Sequence, residues 1–251
     1  MPGRALLALL SIILMALTAM EVYTRLPASF PIEALDLDPD QTRQVVLIFH
    51  GSQDGGDPLL NTIAARFRAL ASLDSGTAVV NYRWDSGADE RLRAAANARR
   101  LGGVLGTELA TLPKLEGLRL ITHSSGAFVA DALCASLRET RSEPWIEMTF
   151  LDPFGIFGFV DWRYGVRNHG RCADFAVAFI NRDDPAVASN SPLSQAYNRD
   201  VSGSPRRELF PRNGHYWPLR YYAEFIDLAE VAPGIRTHAD YPRGDLRTLT
   251  D

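Results

Sequence analysis

What most narrows the fold of this chain is a series of short apolar runs, each of which stops abruptly at turn residues. Gln44–Phe49 reads Gln-Val-Val-Leu-Ile-Phe and stops at His-Gly-Ser-Gln-Asp-Gly-Gly; residues 77–82 follow; the run at 118–121 stops at Thr-His-Ser-Ser-Gly; Trp145–Leu151 stops at Asp-Pro; and residues 174–181 stop at Arg-Asp-Asp-Pro. Runs rich in Val and Ile with no polar alternation are strands covered on both faces, as in a parallel sheet. Helical stripes lie between them: Leu59, Leu60, Ile63, Ala64 and Phe67 in residues 58–70, Leu92, Ala95, Ala96, Leu101, Val104 and Leu105 in residues 89–109, and Phe128, Val129, Ala132 and Leu133 beyond Gly126. Strands alternating with helices predict an α/β fold, a mostly parallel central sheet with helices on both faces. A last helix is predicted over residues 218–231, with Tyr221, Tyr222, Phe225, Ile226 and Leu228 on its apolar side. Gly102, Gly103 and Gly106 weaken the helix at 89–109 by roughly 1 kcal/mol each, which points to close packing on the sheet near the strand at 118–121.

A chain of 251 residues has room for one large core, so residues 44–232 are read as one domain. A formal charge of -4, without a basic patch, excludes a nucleic-acid partner. Ahead of the domain, Arg4 precedes an apolar run over residues 5–20, followed by Glu21 and Arg25. That layout belongs to a signal peptide or an N-terminal membrane anchor spanning residues 1–28, and places the domain in an exported or membrane-anchored setting. Residues 29–43 read as a linker, and residues 233–251 as a polar tail that adds little. Cys134 and Cys172 lack metal-ligand spacing; buried thiols and a single bridge are equal readings, and export favours the bridge.

The chemistry gathers around Ser124. A strand, a sharp turn and a helix in immediate succession form a nucleophile elbow, in which a serine on a strained bend projects its hydroxyl above the sheet at the positive end of the following helix. The usual pattern is Gly-x-Ser-x-Gly; Ser124 and Gly126 keep it, and Thr122 stands at the first position. Ser125 is the rival nucleophile, one residue out of register. The glycine-rich turn after Phe49 is where such a sheet offers backbone N–H groups to a ligand. A serine needs a base, and the base needs an acid. In such folds acid and histidine follow the serine in chain order, and of five histidines His215 meets that order best, while His50 and His123 support the turns. Asp152 and the pair Asp183 and Asp184 each follow a strand and compete as the acid. Two loops compete as a lid: the aromatic stretch 154–171, with Phe154, Phe157, Phe159, Trp162 and Tyr164, and residues 186–205.

Residues 44–228 resemble the lipase branch of the α/β-hydrolase fold, in particular the pancreatic-type lipases and phospholipases A1. The similar pieces are Leu-Ile-Phe-His-Gly, Asn-Ala-Arg-Arg-Leu-Gly-Gly-Val-Leu-Gly-Thr-Glu-Leu, Ile-Thr-His-Ser-Ser-Gly-Ala, Phe-Leu-Asp-Pro and His-Tyr-Trp-Pro-Leu-Arg-Tyr-Tyr. The resemblance implies Asp152 as the acid and the backbone N–H groups of Ser52 and Ser125 as the oxyanion hole. It implies a serine hydrolase acting on carboxylic, lipid or acyl, esters through Ser124, His215 and Asp152, with no metal or organic cofactor. The chain departs from the family at Thr122 and in lacking the disulfide-closed lid of the digestive enzymes. An acyltransferase or thioesterase with the same triad, and a non-catalytic lipid-binding relative, are the alternatives.

Overall fold

The computed structural model of the chain describes residues 2–72, 76–227 and 236–249. In chain order the elements are α1 (Pro2–Arg25), β1 (Gln44–Phe49), α2 (Pro58–Ala71), β2 (Thr77–Tyr82), α3 (Asp85–Ala88), α4 (Ala94–Ala110), β3 (Gly117–His123), α5 (Ala127–Thr140), β4 (Trp145–Leu151), α6 (Tyr164–Asn168), β5 (Phe175–Ile180), β6 (Tyr197–Asp200), α7 (Trp217–Phe225) and β7 (Leu246–Thr248). The strands form one sheet in the order β2-β1-β3-β4-β5-β6-β7, and every pairing is parallel.

Both faces of the sheet are covered along its inner strands β1, β3, β4 and β5, which is why those strands are buried along nearly their whole length. Val45, Leu47 and Phe49 of β1 pack toward α4 and α5, whereas Val46 and Ile48 pack toward α2 and α7. Strand β5 alternates the same way, Ala176, Ala178 and Ile180 to one side and Phe175, Val177 and Phe179 to the other. This is the two-residue side-chain period expressed in strands covered on both faces.

Local signals set the helix ends. Asp57 caps α2 by accepting the Leu59 N–H at 2.8 Å, with Pro58 in the first turn where its missing N–H is harmless. Helix α4 begins at Ala94 rather than near residue 89, because the short α3 and a turn occupy the chain between β2 and α4. Its glycines pack against α5, not the sheet: a Cβ on Gly102 would lie 2.3 Å from the Val129 carbonyl oxygen, and one on Gly106 2.4 Å from that of Leu133. Gly103 faces open space. Cys134 on α5 is bonded to Cys172 ahead of β5.

Four expectations change. The loop over residues 186–205 contains β6, and the aromatic stretch contains α6. Helix α7 stops at Phe225, where Ile226 turns extended; Leu228 and Val231 lie outside the described residues. The tail expected to add little carries β7, and it also sends Arg236 to the buried Glu147 carboxylate and Arg243 to the carbonyls of Gly170 and Ala173. Ahead of the domain, α1 is an apolar helix long enough to cross a membrane, the 22 residues Arg4–Arg25 containing an 18-residue window of mean hydropathy 2.3 that lies wholly outside the core.

Candidate active site

Sequence order reverses in space between β1 and β3: the chain leaves β1 for the edge strand β2, then returns to the other side of β1. In open α/β sheets such a switch point, at the carboxyl ends of the strands, forms a ready crevice. The turn carrying Ser52 leaves β1 there, and Ser124 leaves β3 beside it.

Backbone strain concentrates at this edge. Ser124 has φ 53°, Asp152 φ 48° and Gln53 φ 66°, all in the left-handed region that non-glycine residues avoid. Each costs about 1–3 kcal/mol and persists where neighbours over-determine it. At Ser124 the neighbours are two glycines. A Cβ on Gly51 would stand 2.5 Å from Ser124 Cβ, and one on Gly126 2.9 Å from the Phe49 carbonyl oxygen, so the His-Gly turn and the elbow fit only without those side chains. Beyond the elbow, Phe154 N–H donates to the Ser124 carbonyl at 3.1 Å. Thr122, in place of the first glycine, is buried in β3 with its hydroxyl unpaired among the described residues.

His215 sits on a turn of 3-10 helix over Gly214–Tyr216, directly ahead of α7, with Asn213 capping it through the His215 N–H at 3.1 Å. Its Nδ1 meets two carboxylates, Asp152 Oδ2 at 2.8 Å and Asp184 Oδ2 at 3.1 Å. The two rival acids thus reach the same atom, while Asp183 is exposed and does not. Asp152 is fully buried and accepts the Asn181 N–H at 2.9 Å; Asp184 is held by the Ala186 N–H at 3.0 Å and the Ser189 hydroxyl at 2.9 Å. Burial pushes the Asp152 carboxyl up to about 7. Burial acts the same way on Asp184, but donation from His215, Asp152, Ala186 and Ser189 outweighs it and holds that carboxyl well below the usual range. Burial would lower the imidazole; the two carboxylates override it and raise His215 to about 9.

Ser52 and Ser125 meet, their hydroxyls 3.4 Å apart. The Ser52 N–H has no acceptor among the described residues. Ser124 Oγ makes no hydrogen bond to His215 or to any other described residue, and His215 Nε2 is likewise without a partner. Catalytic contacts commonly tighten only when substrate is bound.

The remaining histidines are structural. His50 donates from Nδ1 to the Gly51 carbonyl at 2.7 Å and accepts the Trp84 N–H on Nε2 at 2.9 Å, with burial lowering its affinity for a proton. His169 bridges Asp131 and the Phe154 carbonyl, and His238 accepts the Ala176 N–H. His123, next to the elbow serine, lies 2.8 Å from Asp54 Oδ2 through Nδ1 and 3.1 Å from the His215 carbonyl through Nε2; Tyr216 donates to Asp54 Oδ1 at 2.5 Å. The Asp54–His123 pair therefore fastens the His215 turn to the elbow. Burial opposes ionisation of Asp54, yet His123 and Tyr216 hold its carboxyl below the ordinary range. Asp54 is the site residue that sequence reading missed; its one signal is a carboxylate inside the glycine-rich turn.

Among the described residues Asp152, Asp184 and His215 also form the group able to hold a metal ion, their ligand atoms all lying within 4.8 Å of one another. No protein-family model matches the chain, and no curated protein matches it.

Proposed function

We propose that this protein is a serine hydrolase of the α/β-hydrolase fold, similar to the pancreatic-type lipases, that cleaves carboxylic esters of lipid or acyl type through an acyl-enzyme. The observation that carries the reading is a strained serine turn at the switch point, joined through His123 to the turn of an acid-anchored histidine. Ser124 stands at φ 53° beside β1, and His215 presents Nδ1 to Asp152 at 2.8 Å. With Nδ1 engaged, Nε2 is left as the proton acceptor. In the proposed cycle His215 Nε2 takes the Ser124 proton as Oγ attacks the ester carbonyl, and the backbone N–H groups of Ser52 and Ser125 receive the oxyanion. The alcohol leaves with that proton, and water, activated by the same nitrogen, releases the acid.

The N-terminal helix is read as an uncleaved anchor. Thr24 is buried, Arg93 donates to the Leu26 carbonyl at 2.7 Å, and Ala28 N–H donates to Asn97 at 2.6 Å, so the end of α1 is packed into the domain. The Cys134–Cys172 bond accords with an oxidising compartment.

A fluorophosphonate probe tests the reading: wild type takes the label and Ser124→Ala does not. Labelling that survives Ser124→Ala assigns the nucleophile elsewhere, and absence of labelling in wild type favours a non-catalytic relative. The two carboxylates on one imidazole favour a second reading, a metal site built from Asp152, Asp184 and His215. Hydrolysis abolished by a chelator and restored by a divalent cation, without probe labelling, would select it. Competing water, alcohol and thiol acceptors separate hydrolase from acyltransferase or thioesterase.

A further inference from the structure

The end of α1 is bound to a particular piece of the domain. Glu21 accepts the backbone N–H groups of Phe159 and Val160 at 2.6 and 3.1 Å and pairs with Arg25, whose guanidinium lies 4.6 Å from the Phe157 ring centroid. Gly158, at φ 75°, is where the two segments touch; a Cβ there would come within 2.7 Å of both Arg25 Nε and Glu21 Oε1. The segment is a closed turn: Phe157 N–H donates to the Asp161 carbonyl at 3.0 Å, Trp162 Nε1 to the Phe159 carbonyl at 3.1 Å, and Arg167 grips the Asp161 carboxylate at 2.7 and 2.8 Å. It points apolar side chains outward, with Phe159 40%, Val160 61% and Trp162 55% exposed.

Resting on the reading of α1 as a membrane anchor, we propose that the tip Phe159, Val160 and Trp162 is a second membrane contact that inserts into the interface of the bilayer crossed by α1. The occupant follows from continuity. The tip is hydrogen-bonded to the last turns of a membrane-length apolar helix, so it sits at the height where that helix leaves the hydrocarbon. Trp and Tyr concentrate at that level, and Tyr23 of α1 is 47% exposed there. A single helix leaves the domain free to tilt, whereas a helix and a tied apolar tip define a plane. The tip's loop begins at the Asp152 end of β4 and passes Ser124 through the Phe154 N–H, so the same plane turns the carboxyl edge of the sheet, and the crevice in it, toward the bilayer. The ester would then be drawn from the membrane rather than from bulk water.

The test uses the full chain in phosphatidylcholine vesicles. Since both native cysteines are bonded to each other, Val160→Cys adds the one free thiol, which takes an environment-sensitive fluorophore; Lys114→Cys, exposed at the opposite edge of the sheet, is the control. Label at 160 is expected to shift to the blue and to lose most of its emission when the acyl chains carry bromine, and label at 114 to do neither. Independently, native tryptophan emission is expected to be quenched by the brominated lipid in wild type and spared in Trp162→Phe. Equal behaviour of the two labels, or quenching unchanged by Trp162→Phe, overturns the proposal, as does label-to-label cross-talk showing that a second copy covers the tip. Alkaline carbonate extraction separates the causes. Release of the chain sinks the anchor and this inference together, while a chain that stays embedded with an unquenched tip sinks this inference alone. Failure of the hydrolase reading would leave these readouts as they are.

Discussion

His215 carries the consequence of being held by two acids rather than one. Its raised pKa of about 9 means the folded protein binds that proton more tightly than the unfolded chain does, and a protonated ring cannot accept the Ser124 proton. Turnover per bound ester is therefore expected to rise with pH and level off above about 9, measured on an uncharged ester across the range where the fold is intact. Asp184→Asn removes one of the charges raising the ring, so the midpoint moves to lower pH with a modest loss of rate, roughly tenfold or less and so below the range of a full general-base contribution. Asp152→Asn disturbs the buried acid anchored by Asn181 and is expected to lower kcat by about 100-fold or more. A loss of that size from Asp184→Asn alone, with Asp152→Asn nearly silent, would show that Asp184 orients the ring. Thr122 makes a separate point, because its buried hydroxyl has no partner among the described residues. Thr122→Val should leave stability unchanged or raise it by up to about 1 kcal/mol in denaturant titration.

At the scale of elements, the contact of α4 with α5 decides how closely the elbow helix is held. A Cβ on Gly102 would meet the backbone of α5 and one on Gly103 would meet no described atom within 4 Å, although both are helical glycines in adjacent positions. Gly102→Ala is expected to destabilise by about 2 kcal/mol, since backbone atoms cannot yield to a methyl group. Gly103→Ala is expected to stabilise by about 0.5–1 kcal/mol, the difference in helix propensity. Thermal unfolding of the pair measures both. The sequence pattern identified the helix but not its partner, because a period of 3.6 marks a buried stripe without naming what covers it. Strands β1, β2 and β4 were legible to the residue because apolar, β-branched and aromatic side chains dominate each run. Strand β6 was not: Tyr-Asn-Arg-Asp has no apolar run, and its pairing depends on neighbours distant in sequence, such as the Asp245 carbonyl that accepts the Asn198 N–H at 2.8 Å.

Across the whole molecule, the tail closes a buried charge network. Arg119 of β3 and Glu147 of β4 are register partners inside the sheet, and Arg236 from the far end of the chain completes the second side of the Glu147 carboxylate. Removing one member of a buried ionic group strands the rest in a poorly solvating interior. Arg236→Ala is expected to cost about 3 kcal/mol or more, a fall in Tm of roughly 6–12 °C by calorimetry. A tail that merely hung from the domain would leave Tm unchanged.

The order of strands β1 to β5 with the helices α2, α4 and α5 between them, the apolar leading helix, the serine turn and the candidacy of His215 follow from the sequence by itself, because each is a local pattern: a run of side chains, a period, a turn composition. Only the tertiary structure decided that Asp152 and Asp184 meet on one nitrogen, that Asp54 and His123 fasten the histidine turn, and that Glu21 binds the exposed tip at Phe159. Those are contacts between residues from tens to more than a hundred positions apart, and the free energy of a pairing leaves no periodic trace in either partner's own segment.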